Sequence, residues 1–129
     1  MAIKFHQYGW QSWSQTGVAP HSATQRIAYT VPTDYKSVAV YVNLYLVRTS
    51  AATTAGESRL YVTVTPSGGS ETTILISGMN NSSVGSRAGT TQTEAFYLGP
   101  GDVVKVYSSD ASTGGAIAYY AAIQFVLWR

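Results

Sequence analysis

The sequence predicts an all-β chain: an antiparallel β-sandwich of about eight strands with jelly-roll topology. Three observations lead there. Apolar residues recur with a period of two in segment after segment, those segments are rich in Val, Ile, Thr and Tyr, and turn-forming clusters separate them. No segment shows the helical 3.6-residue periodicity over ten or more residues.

Taken in order, Ile3 to Tyr8 alternates Ile3 and Phe5 with Lys4 and His6. Gln25 to Val31 sets Ile27, Tyr29 and Val31 against Arg26, Ala28 and Thr30, and Pro32 stops it because proline has no N–H to give a ladder. Ser37 to Thr49 is apolar on both faces, with Val38, Val40, Val42, Leu44 and Leu46 on one and Ala39, Tyr41, Tyr45 and Val47 on the other. Arg59 to Thr65, Glu71 to Ser77, Thr91 to Leu98 and Asp102 to Ser108 follow. Ala116 to Trp128 is again doubly apolar, interrupted only by Gln124. Pro66 to Gly69, Gly99 to Asp102 and Gly114-Gly115 are turns, and Pro100-Gly101 suits the centre of a type II turn. Ser50 to Gly56 and Gly78 to Thr90 read as polar loops.

Composition narrows the function. Hydrophobic residues fill 45% of 129 positions, enough for one ordered domain over 1–129, yet only 11% are charged, against about a quarter in an average globular chain. Ser, Thr, Gly, Asn and Gln replace the missing charge, a balance suited to coats and fibres. The net charge of +2 is scattered, with no basic stripe, so no nucleic-acid partner is expected. Without cysteine there are no disulfides and no thiolate metal sites. No apolar run approaches the roughly 18 residues of a membrane span, and the amino terminus has no leader pattern. Synthesis in a host cytoplasm without membrane insertion is the expectation.

An enzyme is not expected, and neither is a cofactor or a metal. His6 and His21 are the only histidines, no Gly-x-Ser-x-Gly elbow exists, and the acids sit apart. Asp102 and Asp110, beside turns, are the acids a calcium loop would use. Glu57, Glu71 and Glu94 are the carboxylates a glycosidase would have to pair.

The two doubly apolar strands carry the functional expectation. In an eight-strand jelly roll the third and last strands are neighbours, so their second apolar faces form one surface, which suits a partner copy. Tyr41, Tyr45, Tyr119, Tyr120 and Phe125 are the expected oligomer-interface residues. Because adjacent strand residues point to opposite faces, one of Tyr119 and Tyr120 lies inward and the other outward. Arg48, at the end of the long strand, is expected at the rim of the interface, opposite a neighbour's carboxylate. Tyr8, Trp10 and Trp13 crowd three aromatic rings among Gln and Ser. Three roles suit them: plugging the end of the sandwich, anchoring residues 1–24 as an attachment arm, or stacking on a sugar ring.

The segment Leu98-Gly99-Pro100-Gly101-Asp102-Val103-Val104-Lys105-Val106, followed by a Gly-rich turn and a last strand ending Phe125-Val126-Leu127, resembles the carboxy-terminal third of tumour-necrosis-factor/C1q-like jelly rolls. The resemblance implies a homotrimer whose last strand lines a threefold axis, and it does not imply cytokine-type receptor binding. Jelly rolls of this shape recur in bacteriophage virions as head decorations, fibre tips and receptor-binding heads. The expectation is therefore a virion structural protein attached to other virion proteins of a capsid or tail. The alternative is a carbohydrate- or receptor-binding head at a fibre tip, with a cell-surface glycan as partner.

Overall fold

A computed structural model describes residues 9–18, 23–80, 82–92 and 96–128, with side chains described over 23–37, 41–80, 82–89 and 96–128. Alternation becomes strand almost everywhere, and the described residues hold no helix: β1 (Gly9–Val18), β2 (Thr24–Thr30), β3 (Lys36–Ser50), β4 (Glu57–Thr65), β5 (Thr72–Asn80), β6 (Arg87–Gln92), β7 (Phe96–Leu98), β8 (Val103–Asp110) and β9 (Ala116–Trp128). One antiparallel sheet runs β1-β9-β3-β6, and the other β2-β8-β4-β5. β7 also pairs with β3, at Ser37–Ala39, while β6 takes Val42–Val47, so the two short strands share one position in the sheet. This is the jelly-roll order, with first, last, third and sixth strands in one sheet. The third and last strands are neighbours as expected, paired from Lys36↔Trp128 to Ser50↔Ala116.

The inner faces of both sheets make one core. Val42, Leu44, Leu46, Ile117, Ala121, Ile123 and Phe125 from one sheet meet Ile27, Tyr29, Leu60, Val62, Val104 and Val106 from the other. Val40 is the extra residue of a bulge in β3, between the pairs Ala39↔Phe125 and Tyr41↔Gln124. A bulge shifts the two-residue parity by one. Hence Ser37 and Val42, odd and even, are both buried. The unbroken alternation over Val38, Val40 and Val42 expected from sequence is therefore interrupted in the strand's register.

The turns follow their chemistry. Gly101 has φ +81°, and Asp102 N donates to Gly99 O at 3.1 Å, the geometry that a Pro-Gly type II turn requires. Asp102 then fastens two loops, accepting from Gly99 N at 2.7 Å through Oδ2 and from Ser67 N at 2.9 Å through Oδ1. That arrangement ties the turn before β8 to the loop at Ser67.

Two elements differ from expectation. Gly9–Val18 is an edge strand paired along its length with β9, Gly9 opposite Leu127 and Val18 opposite Ala118, so this part of the 1–24 arm belongs to the sheet. Arg87–Gln92, which begins inside the loop expected over Gly78 to Thr90 and ends in the strand expected over Thr91 to Leu98, is the edge strand β6. Edge strands are held by backbone pairing on one side and need no apolar alternation. The strand expected over Ile3 to Tyr8 lies outside the described residues.

Candidate assembly face

The outer face of the β1-β9-β3-β6 sheet is built from the second apolar sets of β3 and β9. Tyr45 stands opposite Tyr120, Tyr41 opposite Gln124, Asn43 opposite Ala122 and Val47 opposite Ala118. None of these side chains is charged. Ala118 and Ala122 are small, Ala122 is itself buried, and the Tyr45 ring lies over Gly89, whose Cβ would sit 3.6 Å from Tyr45 Cδ2. Among the described residues, cations occur on this face only at its two ends, Lys36 opposite Trp128 and Arg87 opposite Val47.

The outer face of the β2-β8-β4-β5 sheet is the opposite in character. Arg59 pairs with Glu57 at 3.7 Å and lies 5.2 Å over the Tyr61 ring. Tyr61 stacks on Tyr107 at 5.1 Å, Tyr107 donates to Glu71, and Lys105 reaches the same carboxylate at 3.9 Å. These partly exposed pairs satisfy one another within the protomer, as on a surface that meets water.

Of the expected interface residues, Tyr41, Tyr45 and Tyr120 lie on the neutral outer face, with Tyr120 exposed. Tyr119 and Phe125 do not. Both have core parity on β9: Phe125 packs on Tyr29 at 4.4 Å, and Tyr119 lies under the Arg26 guanidinium at 4.8 Å. Trp10 stands opposite Val126 and Trp13 opposite Ile123, while Tyr8, His6, His21 and Glu94 lie outside the described residues. Among the described residues no group of three His, Cys, Asp or Glu gathers as a metal site would.

Arg48 is not at a rim. It is wholly buried, with Asp110 1% exposed, and Nη2 lies 3.7 Å from Asp110 Oδ1. The same Oδ1 accepts from Ser58 Oγ at 2.7 Å, Ser112 Oγ at 2.6 Å and Ser112 N at 3.0 Å. Burial alone would raise the Asp110 carboxyl above its usual range. The hydrogen bonds from Ser112 and Ser58, with the Arg48 charge, outweigh it and hold the group below that range. Asp110 thus serves as the buried counter-ion of Arg48. Parity was the signal that finds this pair. Arg48 follows Leu44 and Leu46 on the core side of β3, and Asp110 follows Val104 and Val106 on the core side of β8.

No family model matches the chain, and no curated protein does. Among solved structures it is similar to the Eiger tumour necrosis factor of S. frugiperda, at 17% identity and TM-score 0.44 over 74% of this chain. It is also similar to a chain of the disulfide-linked pili that form Bacillus endospore appendages, at 16% identity and TM-score 0.43 over 95% of this chain and 88% of that one. A third is murine APRIL, at 12% identity and TM-score 0.42 over 86% of this chain and 98% of that one. This chain spans 60% of the Eiger chain. None of these likenesses bears on function.

Proposed function

We propose that this chain is a non-enzymatic structural subunit that assembles with copies of itself through the outer face of the β1-β9-β3-β6 sheet. One observation carries the reading: the two outer faces of the same sandwich differ in kind. One spends its charges on partners within the protomer, and the other presents Tyr41, Tyr45, Tyr120 and small neutral residues, with no charge among the described residues between Lys36 and Arg87. A face of that composition is stabilised by covering it, at about 25 cal/mol per Å² of apolar surface. In its finer form the assembly is a homotrimer with β9 toward the threefold axis. Its setting is a virion, where the trimer attaches to a capsid or tail as a decoration or fibre protein.

Light scattering of the intact chain at low micromolar concentration tests it. A trimer is expected, and a 13.8 kDa monomer refutes the reading. Tyr45→Asp with Tyr120→Asp should dissociate the assembly while leaving the strand signature in circular dichroism. A second reading, a glycan-binding head, is favoured by one feature: Tyr97 is 77% exposed with Trp128 edge-on to its ring at 6.4 Å. A glycan array with Tyr97→Ala as control separates the two.

A further inference from the structure

The open edge of the β2-β8-β4-β5 sheet has a property the assembly face does not use. β5 pairs with β4 on one side, and no described strand pairs with its other side. Proteins usually guard such an edge with Lys, Pro or a very short strand. β5 has nine residues, TTILISGMN, without a charge or a proline. It also shows apolar side chains to solvent: Ile76 is 50% exposed and Ile74, the extra residue of a bulge, 43%. The edge at β2 carries a bulge too, but its extra residue there is the cation Arg26.

We propose that β5 pairs antiparallel with β5 of a second copy, joining two four-stranded sheets into one. The occupant is a second copy because β5 is complementary to itself in one register. A twofold axis through Ile76, the midpoint of Thr72–Asn80, overlaps the whole strand with its copy and leaves only the bulge at Ile74 to interrupt the ladder. The same axis sets Ile76 against Ile76 and each Ile74 against the partner's Gly78. Gly78 is exposed and carries no side chain, so the space beside it accepts the isoleucine. Moving the axis to Ile74 pairs only Thr72 to Ile76 and leaves each Ile76 facing a threonine. No like charges meet in the full register, because β5 has none. The contact is separate from the neutral face of the other sheet and does not depend on it.

The absence of cysteine makes the test direct. In Ile76→Cys the two thiols lie opposite each other, where cross-strand Cα atoms stand about 4.5–5.5 Å apart, within disulfide reach. Mild oxidation should shift most of the chain from the 13.8 kDa band to one of twice that mass on a non-reducing gel. Ile74→Cys should stay monomeric there, because four residues of offset place its copies beyond bridging distance. Val84→Cys, 62% exposed in a loop, reports random collision. The shift should persist when Tyr45→Asp and Tyr120→Asp are added. Cross-linking of Ile76→Cys no greater than that of Val84→Cys overturns the proposal. So does equal cross-linking of Ile74→Cys, or loss of the shift in the face-disrupted background. In uncross-linked protein, Ile76→Lys should halve the mass of the largest species seen at high concentration.

Discussion

Replacing Arg48 by Met should be among the most damaging single changes to the described core. At 3.7 Å, two unit charges in an effective dielectric of about 20 attract by about 4.5 kcal/mol. Removing the guanidinium forfeits that attraction and leaves the buried Asp110 carboxylate to its Ser58 and Ser112 donors without the Arg48 charge. Broken buried pairs typically cost about 3–5 kcal/mol. For a domain of this size, that lowers the thermal midpoint by roughly 12–20 °C. Adding Asp110→Asn removes the stranded charge but keeps an oxygen for Ser58 and Ser112, so the double variant should melt above Arg48→Met alone. The pH dependence follows from the depressed Asp110 carboxyl. The stabilisation is complete above the unfolded value of about 4 and is lost as pH falls through the lower folded value. Thermal melts followed by circular dichroism from pH 7 to pH 2, at one protein concentration, should show an acid limb that flattens in Asp110→Asn. A drop of only a few degrees in Arg48→Met, or a double variant worse than both singles together, would refute this account.

Three further outcomes are expected. Gly115→Ala should cost about 1–3 kcal/mol in chemical denaturation, since φ is +73° and the new Cβ would stand 2.7 Å from Ser50 O and 2.8 Å from Ala51 O. Tyr29, held above its ordinary value by burial against a smaller opposing hydrogen bond with Ser37, contributes stability that is present below pH of about 10 and lost as pH rises; Tyr29→Phe should flatten the alkaline limb of a melting profile. Removing residues 1–18 should uncover the edge of β9 along Ala118–Leu127, and turbidity on mild heating should report the resulting aggregation.

Legibility in the sequence tracked how each strand is buried. Strands with one face in the core, such as β2 and β4, alternate openly and were readable nearly to the residue. β3 and β9 announced their second apolar face, and with it the site of the candidate assembly surface. β1 was not readable, and of β6 only Thr91 and Gln92 fell within an expected strand. Gly9–Val18 and Arg87–Gln92 are edge segments rich in Gly, Ser, Thr and Gln, held by backbone ladders that leave no mark in side-chain pattern. The bulge at Val40 was hidden for a different reason: valines at 38, 40 and 42 continue the alternation straight through it. Tyr119 and Phe125 were assigned to the interface because both faces of β9 are apolar. Sequence alternation separates two such faces without saying which one meets the core. The Arg48–Asp110 pair joins residues of different strands, and only their shared core parity hinted at it.

The pairing of the first described strand with the last fixes when this chain can fold. Gly9 meets Leu127 and Val18 meets Ala118, so β1 has no place until β9 has left the ribosome. β3, apolar on both sides, also waits for β9 as its neighbour. Such long-range closure makes folding slow, on the order of milliseconds to seconds, and leaves a strand-rich intermediate exposed meanwhile. A chain stopped before β9 lacks the central strand that joins β1 to β3. Its remaining strands then present open edges to one another, and clumping competes with completion for as long as the last segment is missing.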